Sequence, residues 1–195
     1  MSEEYQRLQE EATAVDCEIQ EIQENCRVGS AAELAALERR LDFLTVKRAS
    51  LTKAMVLASS VDDAVFAEKQ RAFVGRLPHR YHSQGLRPKV VELPGGVRVT
   101  VSIPYFHRQK DAAKAAAKPG RGLYPALMLM GIVKGRTPHV RQRMVKAAAL
   151  LGSFEEAAEM LADSCINVSV NALREVCGHV GQRLARLTSS GSVAV

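Results

Sequence analysis

The stretch EEYQRLQEEATAVDCEIQEIQENC, Glu3 to Cys26, decides the reading of the chain. Its apolar residues Tyr5, Leu8, Ala12, Val15, Ile19, Ile22 and Cys26 recur at alternating spacings of three and four, with Glu, Gln and Arg between them. That period belongs to a helix with one narrow apolar seam, the a/d pattern of a coiled coil. Arg27-Val28-Gly29 breaks it, and Ser30 followed by Glu33 supplies a capping box for a second helix. Leu34, Leu37, Leu41, Leu44, Leu51, Met55 and Ala58 carry a similar seam onward, with Arg48 as its one polar intruder. At 1.5 Å per residue the helices are about 36 to 42 Å long. Matched seams joined by a short turn predict an antiparallel coiled-coil hairpin over residues 1–60. So narrow a seam buries little alone, which leaves open a homo-oligomer formed through it.

Outward from the hairpin, Ser60 followed by Asp63 reads as the cap of a third helix with Val61, Val65, Phe66, Phe73 and Val74 on its apolar side, ended by Pro78. Residues 77–88 have loop composition, so 61–88 is a helix and linker. From Lys89 the period drops to two. Val90, Val91 and Leu93 precede Pro94-Gly95-Gly96, and Val97, Val99, Val101 and Ile103 alternate with polar residues, which predicts a small β-hairpin over 89–106 laid on helices. Residues 107–123 read as an exposed basic loop.

Residues 124–188 read as an all-helical unit. Thr137-Pro138 opens a helix to about Leu151 with Val140, Met144, Ala148 and Leu151 on one side. Ser153 and Glu156 cap a short helix with Phe154, Ala157, Ala158 and Leu161 inward. Ser169 caps a last helix striped by Val170, Leu173, Cys177, Val180, Leu184 and Leu187, and 189–195 is a tail. The fold class is therefore mainly α, with a coiled-coil hairpin, a β-hairpin and a C-terminal helix-turn-helix-like domain.

Composition agrees. In 195 residues, 47% are hydrophobic but only 5% aromatic, and Trp is absent, so the core rests on Leu, Val, Ala and Met. Cys17, Cys26, Cys165 and Cys177 stand apart, without zinc-ligand spacing, so neither a disulfide framework nor a metal site is expected. No leader-like start and no long apolar run is present, which reads as a cytoplasmic protein with no membrane partner. Catalysis finds no motif: there is no phosphate-binding glycine loop, nucleophile elbow or His-x-x-x-His helix, and no cofactor is expected.

Charge points elsewhere. Residues 1–63 hold 13 acidic and 7 basic side chains, whereas residues 64–195 carry a net +12, and residues 112–154 contain eight Lys/Arg and no acid. A polyanion partner, duplex DNA first, is the functional reading of that asymmetry; a solvated basic surface is the plain one. Lys134, Arg136, Arg141, Arg143 and Lys146 are the candidate phosphate contacts, although Arg141 lies on the opposite side of its helix from Arg143 and Lys146. On the last helix Asn171, Arg174, Glu175, Gly178, His179 and Gln182 fall opposite the apolar stripe. Asn171 and Arg174 have the chemistry to read adenine and guanine in a major groove, with His179 beside them. The same pattern fits an ordinary helical hairpin with a solvated face, and Glu155, Glu156 and Glu159 count against DNA on the preceding helix. A different class of function stays open: a coiled-coil interaction or scaffold protein with an incidental basic surface.

Gly96–Phe106, Tyr124-Pro125-Ala126-Leu127, the run LLGSFEEAAEML (Leu150–Leu161), VSVNALREV (Val168–Val176) and GQRL (Gly181–Leu184) together resemble the region just ahead of the catalytic domain in bacterial insertion-sequence transposases of the DDE type. The resemblance implies that the Phe154-led and Ser169-capped helices form a helix-turn-helix before an RNase H-like fold. Where many such proteins carry cysteines this chain has His107-Arg108-Gln109-Lys110, so a zinc knuckle does not carry over. The chain stops about eight residues after the last helix, so no catalytic aspartate carries over either. The expectation is a non-catalytic, DNA-binding module derived from a transposase.

Overall fold

The computed structural model describes residues 2–108 and 122–191. Helices α1 (Glu3–Asn25), α2 (Ala31–Val61) and α3 (Ala64–Gly75) precede strands β1 (Tyr81–Glu92) and β2 (Arg98–Arg108), which a single 3-10 turn at Pro94–Gly96 joins. Helices α4 (Pro125–Leu129), α5 (Pro138–Leu150), α6 (Phe154–Asp163) and α7 (Val170–Gly191) follow. The chain is mainly helical with one two-stranded antiparallel sheet.

Helix starts follow their caps. Ser30 Oγ accepts from the Glu33 amide, Thr137 Oγ1 from Val140, Ser153 Oγ from Glu156 and Ser169 Oγ from Ala172, each satisfying an amide that no helical carbonyl can reach. Ser60 behaves differently. Its hydroxyl donates back to the Val56 carbonyl at 2.7 Å inside α2, which runs on to Val61, and Asp63 caps α3 by accepting from the Val65 amide at 2.7 Å. A Ser inside a helix satisfies its hydroxyl on the preceding turn, so only the carboxylate is left to cap. The boundary expected at residue 60 thus falls within α2, and α3 ends at Gly75 rather than at Pro78.

Helices α1 and α2 pack together in opposite directions: Glu11 pairs with Lys47 at 2.9 Å, Asp16 with Arg48 at 2.7 Å, and Glu18 with Arg40. Leu8, Ala12 and Val15 of the α1 seam are buried, with Ile19 and Ile22 half-buried beyond them. On α2 the seam is buried at Leu44, Leu51 and Ala58 but opens at Leu34, which is 45% exposed, and Ala54 rather than the half-buried Met55 is enclosed beside it. Arg48, the intruder in the seam, reaches Asp16 and Thr52 at the edge of the interface.

The sheet is longer than its alternating segment. Residues 81–88, expected as loop, form the first part of β1, paired from Tyr81↔Arg108 with an irregularity between Ser83 and Leu86. Residues 82–88 of that part are exposed, so it carries none of the apolar alternation that marks a half-buried strand. At the turn end Val91, Val99, Val101 and Ile103 are buried against α1 and α2. Gly95 has φ +70° and lies so near α2 that an added Cβ would stand 2.8 Å from Lys47 Cα. Leu123 pairs with Phe106 across two backbone hydrogen bonds, and the basic loop expected at 107–123 otherwise lies largely outside the described residues.

The structure holds two hydrophobic cores. The first joins α1, α2 and the sheet with Ala126 and Ile132, so residues 125–132, expected in the C-terminal helical unit, belong with the N-terminal helices. The second closes around Val140, Met144, Ala147, Ala157, Leu161, Ile166, Leu173 and Val176 from α5, α6 and α7. Val176 is buried although it was not on the expected stripe, whereas Cys177 beside it is half-buried. Helix α7 runs on to Gly191, so residues 189–191 are helical rather than tail. Backbone hydrogen bonds tie the cores together: Glu92 N–H donates to Gly135 O at 2.7 Å, and Gly95 N–H to Cys165 O at 2.8 Å.

Candidate nucleic-acid interface

The approach to α5 is a tight turn. Val133 and Arg136 exchange backbone hydrogen bonds at 3.1 Å, and between them Lys134 (φ +52°) and Gly135 (φ +74°) both take left-handed conformations, as a type I′ turn requires. A lysine there carries conformational strain of about 1 kcal/mol or more. The turn is pinned by the Glu92 amide on Gly135 O, so Lys134 stands at the tip of an anchored loop. From there it reaches across to α7 and forms an ion pair with Glu175 Oε1.

Glu175 is the centre of a cluster. The Lys134 ammonium hydrogen-bonded to it holds its carboxyl below the usual range, against a small desolvation effect, and the charges of Lys134, His179 and Arg136 act in the same direction as the hydrogen bond. The Lys134 pair therefore joins the acid-free stretch to the outer face of α7 across 41 residues of chain. On α7, Asn171, Arg174, Glu175, Gly178, His179 and Gln182 are all exposed, while Leu173 and Val176 of the opposite side are buried. Arg174 reaches back to α6, 3.4 Å from Glu155 Oε1 and 5.6 Å above the Phe154 ring.

The α5 cations are less uniform. Lys146 is exposed, whereas Arg141 and Arg143 are half-buried on either flank of the stripe Val140, Met144 and Ala147. Among the described residues Arg141 Nε, shut off from solvent, has no hydrogen-bond partner, a costly position for a guanidinium nitrogen. On the inner side of α7 burial pushes the Cys177 thiol up, away from the reactive thiolate. No family model matches the chain, and no curated protein or solved structure matches it.

The sequence places Glu175 on the outer row of the last helix and Glu155 on the preceding one, but not their pairing with these cations. They stand 41 and 19 residues from the side chains they pair with, beyond any local period. Among the described residues no group of three or more His, Cys, Asp or Glu is placed to hold a metal ion, and no helix is long and apolar enough to cross a membrane.

Proposed function

We propose that this chain is a non-catalytic module that binds duplex DNA, of the kind that precedes the catalytic domain of an insertion-sequence transposase. The observation that carries the reading is the meeting of the acid-free stretch with the outer face of α7: Lys134 pairs with Glu175, while Asn171, Arg174 and His179 stand exposed on the same helix. In this reading α6 and α7 act as a helix-turn-helix, with a connection at residues 164–169 longer than the usual three or four residues. Lys134, Arg136, Arg143 and Lys146, with Arg141 at the flank, neutralise phosphates, and Asn171 and Arg174 meet base edges. The α1 and α2 pair serves as a coiled coil. Because Leu8, Ala12 and Val15 are already covered within one chain, a second copy would have to use the far end of that pair.

A salt titration on duplex DNA tests the reading. Log K falls with log salt at about −0.9 per phosphate contact, so replacing Arg143 and Lys146 by Gln flattens the slope by about two units and leaves sequence preference intact. Asn171→Ala and Arg174→Ala do the reverse, erasing roughly 1 to 3 kcal/mol of preference for each lost base contact with little change of slope. Absence of any salt-dependent affinity for duplex DNA at low ionic strength overturns the proposal.

A second reading, a helical interaction protein, is favoured by the bend between α1 and α2, where Val28 is 43% and Leu34 45% exposed. Val28→Ser with Leu34→Ser changes oligomer size or partner capture under that reading and leaves DNA affinity alone.

A further inference from the structure

The open end of the sheet carries cations that the α5 and α7 surface does not use. Between Glu68 and Glu92 the chain has no acidic residue but holds Lys69, Arg71, Arg76, Arg80, Arg87 and Lys89, and none follows from Leu93 to Arg108. Side chains alternate along a strand, so Tyr105 and His107 continue the side of β2 that buries Val99, Val101 and Ile103 near the turn. Across the ladder Arg87 stands opposite Ile103 and His82 opposite His107. One face of the ribbon therefore changes along its length from covered and apolar to basic and aromatic.

The cations there are positioned without carboxylates. The Arg87 guanidinium lies 3.9 Å from the centroid of the Tyr105 ring, and Lys89 Nζ lies 4.5 Å from that of Tyr124, itself 4.9 Å from Tyr105. The His82 and His107 rings follow, 5.8 Å apart. Among the described residues no carboxylate pairs with Arg80, Arg87, Lys89 or Arg108, in contrast to Lys134 and Arg174. Residues 82–88 are exposed throughout. Aromatic stacking fixes the Arg87 guanidinium, which donates to the neutral Gln84 Oε1 at 3.5 Å, so no carboxylate among the described residues has to be displaced first.

We propose that the open end of the β1–β2 ribbon is a second contact for the phosphate backbone of duplex DNA, made by Arg87 and Lys89 on the face and by Arg80 and Arg108 at the mouth. The proposal rests on the DNA-binding reading above. A two-stranded antiparallel ribbon has dimensions that a major groove admits, and four cations that pair with no carboxylate among the described residues complement a polyanion.

The test uses the full chain and a random-sequence DNA duplex, titrated with salt. Two double variants are compared with the parent: Arg87→Gln with Lys89→Gln, and Arg80→Gln with Arg108→Gln, the second removing charge without disturbing the stacked rings. The expected result is a flattening of log K against log salt by about two units in a double variant that unfolds at the parent's midpoint. If both double variants keep the parent's slope while the parent binds DNA, the ribbon contact is overturned and the α7 reading stands. If the slope is lost only on an RNA duplex, the ribbon contact to DNA is likewise overturned. A parent that binds no DNA removes both.

Discussion

In the first core Leu8, Leu51 and Val99 meet from segments far apart in the chain, and a helix pair lies on a sheet. In the second, Met144, Leu161 and Leu173 come from three consecutive helices. The ion pairs differ along the same line. Glu11–Lys47, Asp16–Arg48 and Glu18–Arg40 link α1 to α2, where they fix the pairing of helices whose apolar seam is narrow, and each such exposed pair contributes at most about 1 kcal/mol. Lys134–Glu175 and Arg174–Glu155 lie instead on an exposed face, where under the proposed DNA-binding reading each carboxylate competes with a phosphate for its cation. The same bond thus supports architecture in one region and, under that reading, competes with a ligand in the other.

Cavity-forming substitutions break the comparison most sharply. Leu51→Ala and Leu173→Ala, both at fully buried side chains, each cost about 2 to 5 kcal/mol. All four tyrosines, Tyr5, Tyr81, Tyr105 and Tyr124, precede α5, so tyrosine emission during urea unfolding follows the first core. Leu51→Ala should shift that transition more than Leu173→Ala does. Equal shifts would mean that the cores unfold as one.

Gly95→Ala comes next. The left-handed φ costs about 1 to 3 kcal/mol, and the contact with Lys47 Cα adds to it. Gly96→Ala, with φ +71° but nothing within 4 Å of the new Cβ, pays the conformational cost alone. Thermal unfolding of the two variants side by side separates the contact from the conformation, and indistinguishable midpoints would refute the close approach to α2.

Glu4 links α1 to the sheet: it binds Arg7 at 2.8 Å and accepts from the Thr100 amide at 2.7 Å. The Arg7 hydrogen bond first, then the Thr100 amide and the Arg7 charge, hold its carboxyl below the ordinary value of 4.5 against partial desolvation. Because the folded value is depressed, the stabilisation is present above the unfolded value and is lost as pH falls through the folded one. Glu4→Ala should therefore cost about 1 kcal/mol at neutral pH, after allowance for partial exposure, and little in strong acid. A cost independent of pH would sink the assignment.

The smallest effect concerns the competing carboxylate. Glu175→Gln frees Lys134 and should tighten binding to duplex DNA a few-fold, steepening the salt slope by about 0.9 as one more cation becomes available. Weaker binding by this variant would mean that Glu175 positions Lys134 instead of competing for it.

Much of the fold was legible where the signal is local. The α1 seam at Leu8, Ala12 and Val15, the glycine turn at Gly95, and the caps at Ser30, Thr137, Ser153 and Ser169 each depend on residues within a turn or two. What escaped depends on distant partners. Residues 81–88 lack strand periodicity because 82–88 are exposed on both faces, and α4 joined the wrong unit because its partners, α3 and β2, precede it. Of the site, the exposed row on α7 follows from helical spacing, whereas the pairing of Lys134 with Glu175 is a product of the anchored turn before α5.

That anchoring has a use in measurement. The amides of Glu92 and Gly95 belong to the hairpin, but their acceptors, Gly135 and Cys165, belong to the segments that lead into α5 and α7. An amide proton held in this way exchanges with deuterium only when the two halves part, whereas ladder amides such as that of Val101 wait for the sheet itself to open. The ratio of the two exchange rates is an internal clock for separation of the halves, readable without a label, and its slowing on addition of DNA would register a ligand that grips both at once.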